Sequence, residues 1–346
     1  MSGRDELKIR NPEAVVERLK AFQKTVRDLI VSSRTTLAAR HEVSRSSSAD
    51  TIYAIDTEVE PLLETFCEQW SADEGPLVLV AEGLEDGAGN EVASRVFPRG
   101  ARDEDAALRI IIDPIDGTRG LMYDKRAAWA LAGVAPNKGA ATRLRDIEVA
   151  VMSELPTSKM GQADVLWAIR GRGAVGERVE LSTGIASSLT LTPSKAANLS
   201  HGFATVSNFF PGTKVLASEL MEYLARHLIG EADVTRATVF DDQYISTGGQ
   251  FYELIAGHDR FIADLRPVFY SLQGQGQGLC SHPYDCATWL IAEEAGVILR
   301  DESGRPLDGP FDTTTGISWC GYANASLAAV IQPLVMKFLA DRAARG

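Results

Sequence analysis

The run ALRIIIDPIDGTRG sets two carboxylates, Asp113 and Asp116, three residues apart at the end of an apolar strand. Pro114 and Gly117 are poor strand formers, so the segment reads as a sharp strand-to-helix turn that points both acids into one small volume. Two carboxylates that close raise each other's pKa and resist ionisation. A hard divalent cation, which takes oxygen ligands, removes that cost. Gly117 and Thr118 then open a helix, whose first amides favour a bound anion such as phosphate. One turn could therefore hold a metal ion and a phosphate side by side. Other acids join the pattern: Glu82 ends the strand-like run PLVLVAE, Asp285 stands in YDCATWLIAEEAGVIL, and Asp56 opens a helix in AIDTEVEPLL. Asp56 and Asp285 also sit where plain helix N-caps would sit, and VAEGLEDGAGN also reads as a turn.

These side chains need elements to position them, and the apolar spacing supplies those elements. Val15, Val16, Leu19, Phe22, Val26, Leu29 and Ile30 recur at intervals of three and four, which predicts an amphipathic helix over 14–40. The polar, Ser-rich stretch 40–50 reads as a loop, and a second helix is expected over 56–70. Strands are expected at 76–82, 107–113, 127–135 and 147–155, with 165–175 entering a Gly-rich hairpin. A strand over 201–209, helices over 213–228 and 246–256, a strand at 260–265 and the QGQGQG loop at 273–278 follow. A helix over 285–295, a strand and turn, a closing strand and a final amphipathic helix complete the chain. No internal repeat is visible. The Ser/Thr/Pro-rich run SLTLTPSKA predicts a boundary near residue 195. This gives an N-terminal α+β domain, 1–195, with most of the ligand candidates, and a C-terminal α/β domain, 196–346, with Asp285 and the specificity loops.

Composition bounds the function. The 346 residues carry 47 acidic and 35 basic side chains, a formal net charge of −12, which disfavours nucleic acid and anionic membranes as partners. With 45% hydrophobic residues there is material for a real core, and no run is long enough for a transmembrane helix. The start, MSGRDELKIRNPEAV, has no apolar h-region, so the cytoplasm is the expectation. Cys67, Cys280, Cys286 and Cys320 form no C-x-x-C pair and read as reduced, with no zinc site. His41, His201, His227, His258 and His282 are scattered with no i,i+4 pair and read as structural or solvated, His282 alone standing near Asp285. DESG at 301–304 lacks the spacing of a calcium loop. No G-x-G-x-x-G follows a first strand, which disfavours a Rossmann oxidoreductase.

Asp113 to Thr118, D-P-I-D-G-T, resembles the signature of the magnesium-dependent, lithium-sensitive phosphatases, the inositol monophosphatase/fructose-1,6-bisphosphatase superfamily. The later run from Tyr284 to Leu299 resembles that family's second signature, with Tyr where Trp is usual. Asp56 and Glu60 match its D-x-x-x-E helix start. Glu82 matches its strand-end acid, with Gly83 where a second acid is usual. The resemblance spans about 14–340 and is loose over 155–245. It implies an αβαβα sandwich of the sugar-phosphatase type, a layered α/β fold. It implies Glu82, Asp113, the Ile115 carbonyl, Asp116 and Asp285 as ligands of two or three Mg²⁺ ions, with Mn²⁺ a substitute and Li⁺ an inhibitor. Thr118, hydrogen-bonded to Asp56, would help to orient and deprotonate the attacking water together with Glu82. Gly117 and Thr118 would bind the phosphate, and Thr247 and Gly248 the rest of the substrate.

The reading that follows is a phosphomonoesterase acting on a small polyol or sugar phosphate, an inositol phosphate or a compound like fructose bisphosphate. A 3′(2′),5′-bisphosphate nucleotidase and a non-catalytic metal- or phosphate-binding protein are the alternatives. The position that carries a ring-reading acid in inositol monophosphatase, seven residues before Asp285, is Gly278 here, which counts against strict myo-inositol specificity. Arg266 and Asp264 are candidates to read a second phosphate or hydroxyls. Homodimers or larger homo-oligomers are common in the family.

Overall fold

The structure, a computed structural model, describes residues 7–32, 43–46, 51–84, 92–231 and 235–344, with the backbone alone for 43–46 and 51–58. The chain begins with α1 (Pro12–Ser32), β1 (Val43–Ser46), β2 (Thr51–Tyr53) and α2 (Ala54–Glu74). Six strands and one short helix follow: β3 (Leu77–Val80), β4 (Ser94–Phe97), β5 (Leu108–Asp116), α3 (Thr118–Met122), β6 (Ala128–Pro136), β7 (Val149–Leu155) and β8 (Gln162–Ile169). Next come β9 (Ala174–Glu180), β10 (Ala186–Leu189), β11 (Gly202–Val206), α4 (Lys214–Leu228), β12 (Val239–Phe240) and α5 (Thr247–Ile255). The last elements are β13 (Asp259–Asp264), α6 (Arg266–Leu272), α7 (Trp289–Glu294), β14 (Ile298–Arg300), β15 (Trp319–Tyr322) and α8 (Ala325–Ala343).

One sheet has eight strands in the order β10-β9-β8-β7-β6-β5-β3-β4, and a second has five in the order β12-β11-β13-β15-β14. Helices α1 and α2 cover one face of the larger sheet; α5 and α7 lie between the two sheets; α4 and α8 cover the far face of the smaller one. The result is the five-layer αβαβα sandwich. Strand alternation explains the layering. Ile110 and Ile112 of β5 pack with Leu19, Phe22 and Leu63 of the outer helices, whereas Ile111 faces the inner core with Leu131, Phe251 and Trp289. A strand that buries both faces needs a continuous apolar run, and β6, AWALAGVAP, is buried at eight of its nine residues.

Several elements differ from the sequence-based expectation. Within 40–50, expected as loop, β1 pairs antiparallel with β2. Strands β4, β10 and β12 and helix α6 were not anticipated. The three strands lie at sheet edges and are two to four residues long, too short for period-two alternation to register. The helix expected from 285 starts at Trp289, because residues 284–288 form consecutive turns. No helix among the described residues is long and apolar enough to cross a membrane.

Candidate active site

The site is built on an irregularity in β5. Asp113 pairs with Leu131 of β6 and Asp116 pairs with Trp129, so three steps on β5 match two on its partner. In a regular strand, residues three apart point to opposite faces. The extra residue, a β-bulge around Pro114, turns Asp116 back to the side of Asp113. The expected sharp turn is thus partly corrected: pairing survives Pro114 and ends after Asp116. Gly117 then makes the turn with φ 96°, and a Cβ there would stand 2.9 Å from the Ser246 Cβ. The turn therefore requires glycine on both backbone and packing grounds. The main-chain amide of Ile115 donates to Asp113 Oδ1 at 3.0 Å, which fixes the first carboxylate locally.

Asp116 is held from across the cleft. Ser246, the N-cap of α5, donates its hydroxyl to Asp116 Oδ2 at 2.8 Å and accepts from the Gly249 amide at 2.8 Å. The Gly248 amide donates to the same Asp116 oxygen at 2.6 Å. A carboxylate on the positive end of a helix is stabilised, yet burial and nearby Asp285 dominate and push Asp116 up to about 8. Burial, followed by Asp116, Asp285 and Glu82, pushes Asp113 well above the usual carboxylate range. Ligand-capable oxygens of Asp113, Asp116 and Asp285 all lie within 4.8 Å of one another. Three acids at that spacing repel one another, and all three offer hard oxygen donors. The set fits a divalent cation, which would replace repulsion with coordination.

Asp285 Oδ2 accepts from the His282 main-chain amide at 2.6 Å, with the His282 ring nitrogen at 3.7 Å. Burial works against charging that imidazole, but hydrogen bonds and charge from Asp285 and Cys280 prevail and push His282 up to about 10. Glu82 lies outside the three-acid cluster but lines the same cleft, and Tyr284 donates its hydroxyl to Glu82 Oε2 at 3.2 Å. Ile115 and Thr118 also line the cleft; the Thr118 hydroxyl donates to the Ile115 carbonyl at 2.8 Å. That carbonyl keeps a second lone pair for a cation. The side chain of Asp56, and Glu85 and Asp86, the next acids after Gly83 in VAEGLEDGAGN and candidates to replace the acid usual at that position, lie outside the described residues.

The cleft encloses about 210 Å³. Thr247 lines it, with its hydroxyl hydrogen-bonded to Ser281 at 2.9 Å. Gly248 does not line it: its amide serves Asp116, and a Cβ would lie 2.4 Å from Leu131. Phe209 and Phe210 form an aromatic wall, with the Arg119 guanidinium 5.3 Å from the Phe210 ring. Arg266 lies over both rings, but Asp264 neutralises it in a buried ion pair with Nε···O distances of 2.9 and 3.1 Å. Ser246, Tyr284 and the Phe209–Phe210 wall went unassigned from sequence. Ser246 had a usable signal, a Ser directly before a helix start. The Phe pair had none, since nothing local marks a loop aromatic as lining a cleft.

The layer order and the strand connectivity define a class: this chain carries the fold of the inositol monophosphatase and fructose-1,6-bisphosphatase superfamily. Among solved structures, fructose-1,6-bisphosphatase of Leishmania major superposes with a TM-score of 0.65 at 14% identity, covering 95% of each chain. The inositol monophosphatase of Thermotoga maritima gives 0.60 at 16% identity, over 94% of this chain and 99% of that one. An inositol monophosphatase/NADP phosphatase complexed with Mg²⁺ and phosphate gives 0.60 at 12% identity, over 94% and 96%. No protein-family model and no curated protein sequence matches this chain.

Proposed function

We propose that this protein is a divalent-metal-dependent phosphomonoesterase that hydrolyses a small phosphorylated metabolite to an alcohol and inorganic phosphate. The observation that carries the reading is the convergence of Asp113, Asp116 and Asp285 within 4.8 Å, on the fold of known phosphatases. Mg²⁺ would be held by these three acids with Glu82 and the Ile115 carbonyl, Mn²⁺ would substitute, and Li⁺ would inhibit. When bound, such ions supply electrophilic polarisation of the ester and an acidified water. The chain's own contribution is positional. The bulge aims Asp113 and Asp116 together, and the α5 start orients Asp116. Gly117 and Thr118 present the short α3 turn to the phosphate, Thr118 beside the attacking water. The wall of Phe209 and Phe210 closes one side of the cleft from water.

Two features bear on the leaving group. A Cβ at Gly278 would fall 2.6 Å from the Tyr270 ring, so the place of a ring-reading acid is filled by an aromatic side chain. The Phe209–Phe210 wall with Arg119 favours, as a second reading, a nucleotide such as a 3′(2′),5′-bisphosphate, whose base can stack and whose second phosphate can meet a cation.

The test is hydrolysis of sugar phosphates, inositol phosphates and 3′-phosphoadenosine 5′-phosphate, in Mg²⁺ and in EDTA. Turnover in Mg²⁺ that is lost in EDTA, in Asp113→Asn and in Thr118→Ala is expected. Equal turnover in EDTA, or none on any ester, refutes the reading, and Mg²⁺ binding without turnover would leave the non-catalytic alternative.

A further inference from the structure

Tyr284 links the two halves of the cleft. It is 3% exposed, and its ring lies 5.4 Å from and nearly parallel to the His282 imidazole, at 12°. Its hydroxyl donates to Glu82 Oε2 at 3.2 Å and stands 3.4 Å from His282 Nδ1. The His282 amide in turn holds Asp285 Oδ2. One hydroxyl thus stands between the acid just beyond β3 and the segment that delivers Asp285.

We infer that Tyr284 is a positioning residue for Glu82, tuning the affinity of the site for its cation. The inference rests on reading the site as a divalent-cation centre. Glu82 follows the short strand β3 and precedes Gly83, whose φ of 76° turns the chain away. A Glu side chain has three rotatable bonds, and ordering it at the moment of binding weakens affinity. Tyr284 orders it beforehand. Anchoring Oε2 on a buried, stacked phenol sets the direction in which the other carboxylate oxygen points. Partners of this kind, behind the ligating atoms, commonly change metal affinity by 10–100-fold when removed. Phenylalanine at this position keeps the ring and the stack on His282 but loses the donor.

The experiment is calorimetric titration of the full chain with Mg²⁺, for the wild type, Y284F, E82Q and the double variant, with metal-free thermal unfolding alongside. Y284F is expected to unfold close to the wild type without metal and to bind Mg²⁺ roughly tenfold more weakly. E82Q is expected to weaken binding at least as much, and Y284F in the E82Q background to add nothing, because the hydroxyl acts through that carboxylate. Wild-type affinity in Y284F overturns the inference, as does an undiminished tenfold loss in the E82Q background. A Y284F chain that fails to fold also overturns it, by assigning the hydroxyl to the fold. A wild-type chain that takes up no Mg²⁺ refutes the underlying reading of the site, a result distinct from all of these.

Discussion

Asp116→Asn probes the cost of burying a carboxylate beside other acids. Asp116 is 6% exposed, and burial first, then Asp285, moves its pKa from 3.8 to about 8 despite donors from Gly248 and Ser246. The folded-state pKa lies above the unfolded one, so the folded chain binds the extra proton between about pH 4 and pH 8. The contribution of Asp116 to metal-free stability is therefore most favourable below that window and falls as pH rises through it. At pH 7 the penalty is about 1.36 kcal/mol for each of roughly three pH units, a ceiling near 4 kcal/mol. Burial is the larger cause and the asparagine amide is buried in its place, so the substitution recovers only part of that ceiling, roughly 1–3 kcal/mol. Asparagine has nearly the same shape and keeps an acceptor oxygen for Ser246 and Gly248. With unfolding entropy of roughly 2.1 cal/mol/K per residue, the midpoint of D116N should rise by about 1–4 °C in EDTA at pH 7, and hardly at all near pH 4. Mg²⁺ should invert the order, stabilising the wild type more than D116N. Calorimetric scans at pH 4.5, 7 and 8, in EDTA and in Mg²⁺, read both effects. A D116N chain less stable than the wild type in EDTA at pH 7, or equal Mg²⁺ stabilisation of both, refutes the reasoning.

Three further outcomes follow from the packing. Gly117→Ala places a Cβ at φ 96° and 2.9 Å from the Ser246 Cβ; it should cost about 1–3 kcal/mol in a urea melt and abolish the proposed phosphatase turnover. Arg266→Met strands Asp264, which is 0% exposed; a loss of about 3–5 kcal/mol is expected, largely recovered by adding Asp264→Leu, and a small loss in the single variant would contradict the pairing argument. Gly278→Glu must displace the Tyr270 ring; it should lower the unfolding free energy by about 1–3 kcal/mol in a urea melt, without raising turnover of inositol monophosphate.

Glu82 and the Asp113–Asp116 pair were legible because they end apolar runs, where a change of residue type is conspicuous, whereas Asp56 and Asp285 stand before helical runs and were legible through the motifs around them. Most strands and helices were legible through continuous apolar runs such as AWALAGVAP in β6 and the three-four spacing of α1. The edge strands β4, β10 and β12 were not, since a strand half open to solvent has no obligatory pattern. The Asp113–Asp116 pair was legible as a pair, but the bulge that turns both the same way was not, because register depends on β6 as much as on β5.

What the sequence determined by itself is therefore the inventory: which acids end which elements, and which faces those elements must bury. Tertiary structure alone decided the meetings. Ser246 reaches Asp116 from 130 positions away and Tyr284 reaches Glu82 from 202. Contacts at such separations depend on how two sheets and the helices between them stack, and local spacing carries no record of that.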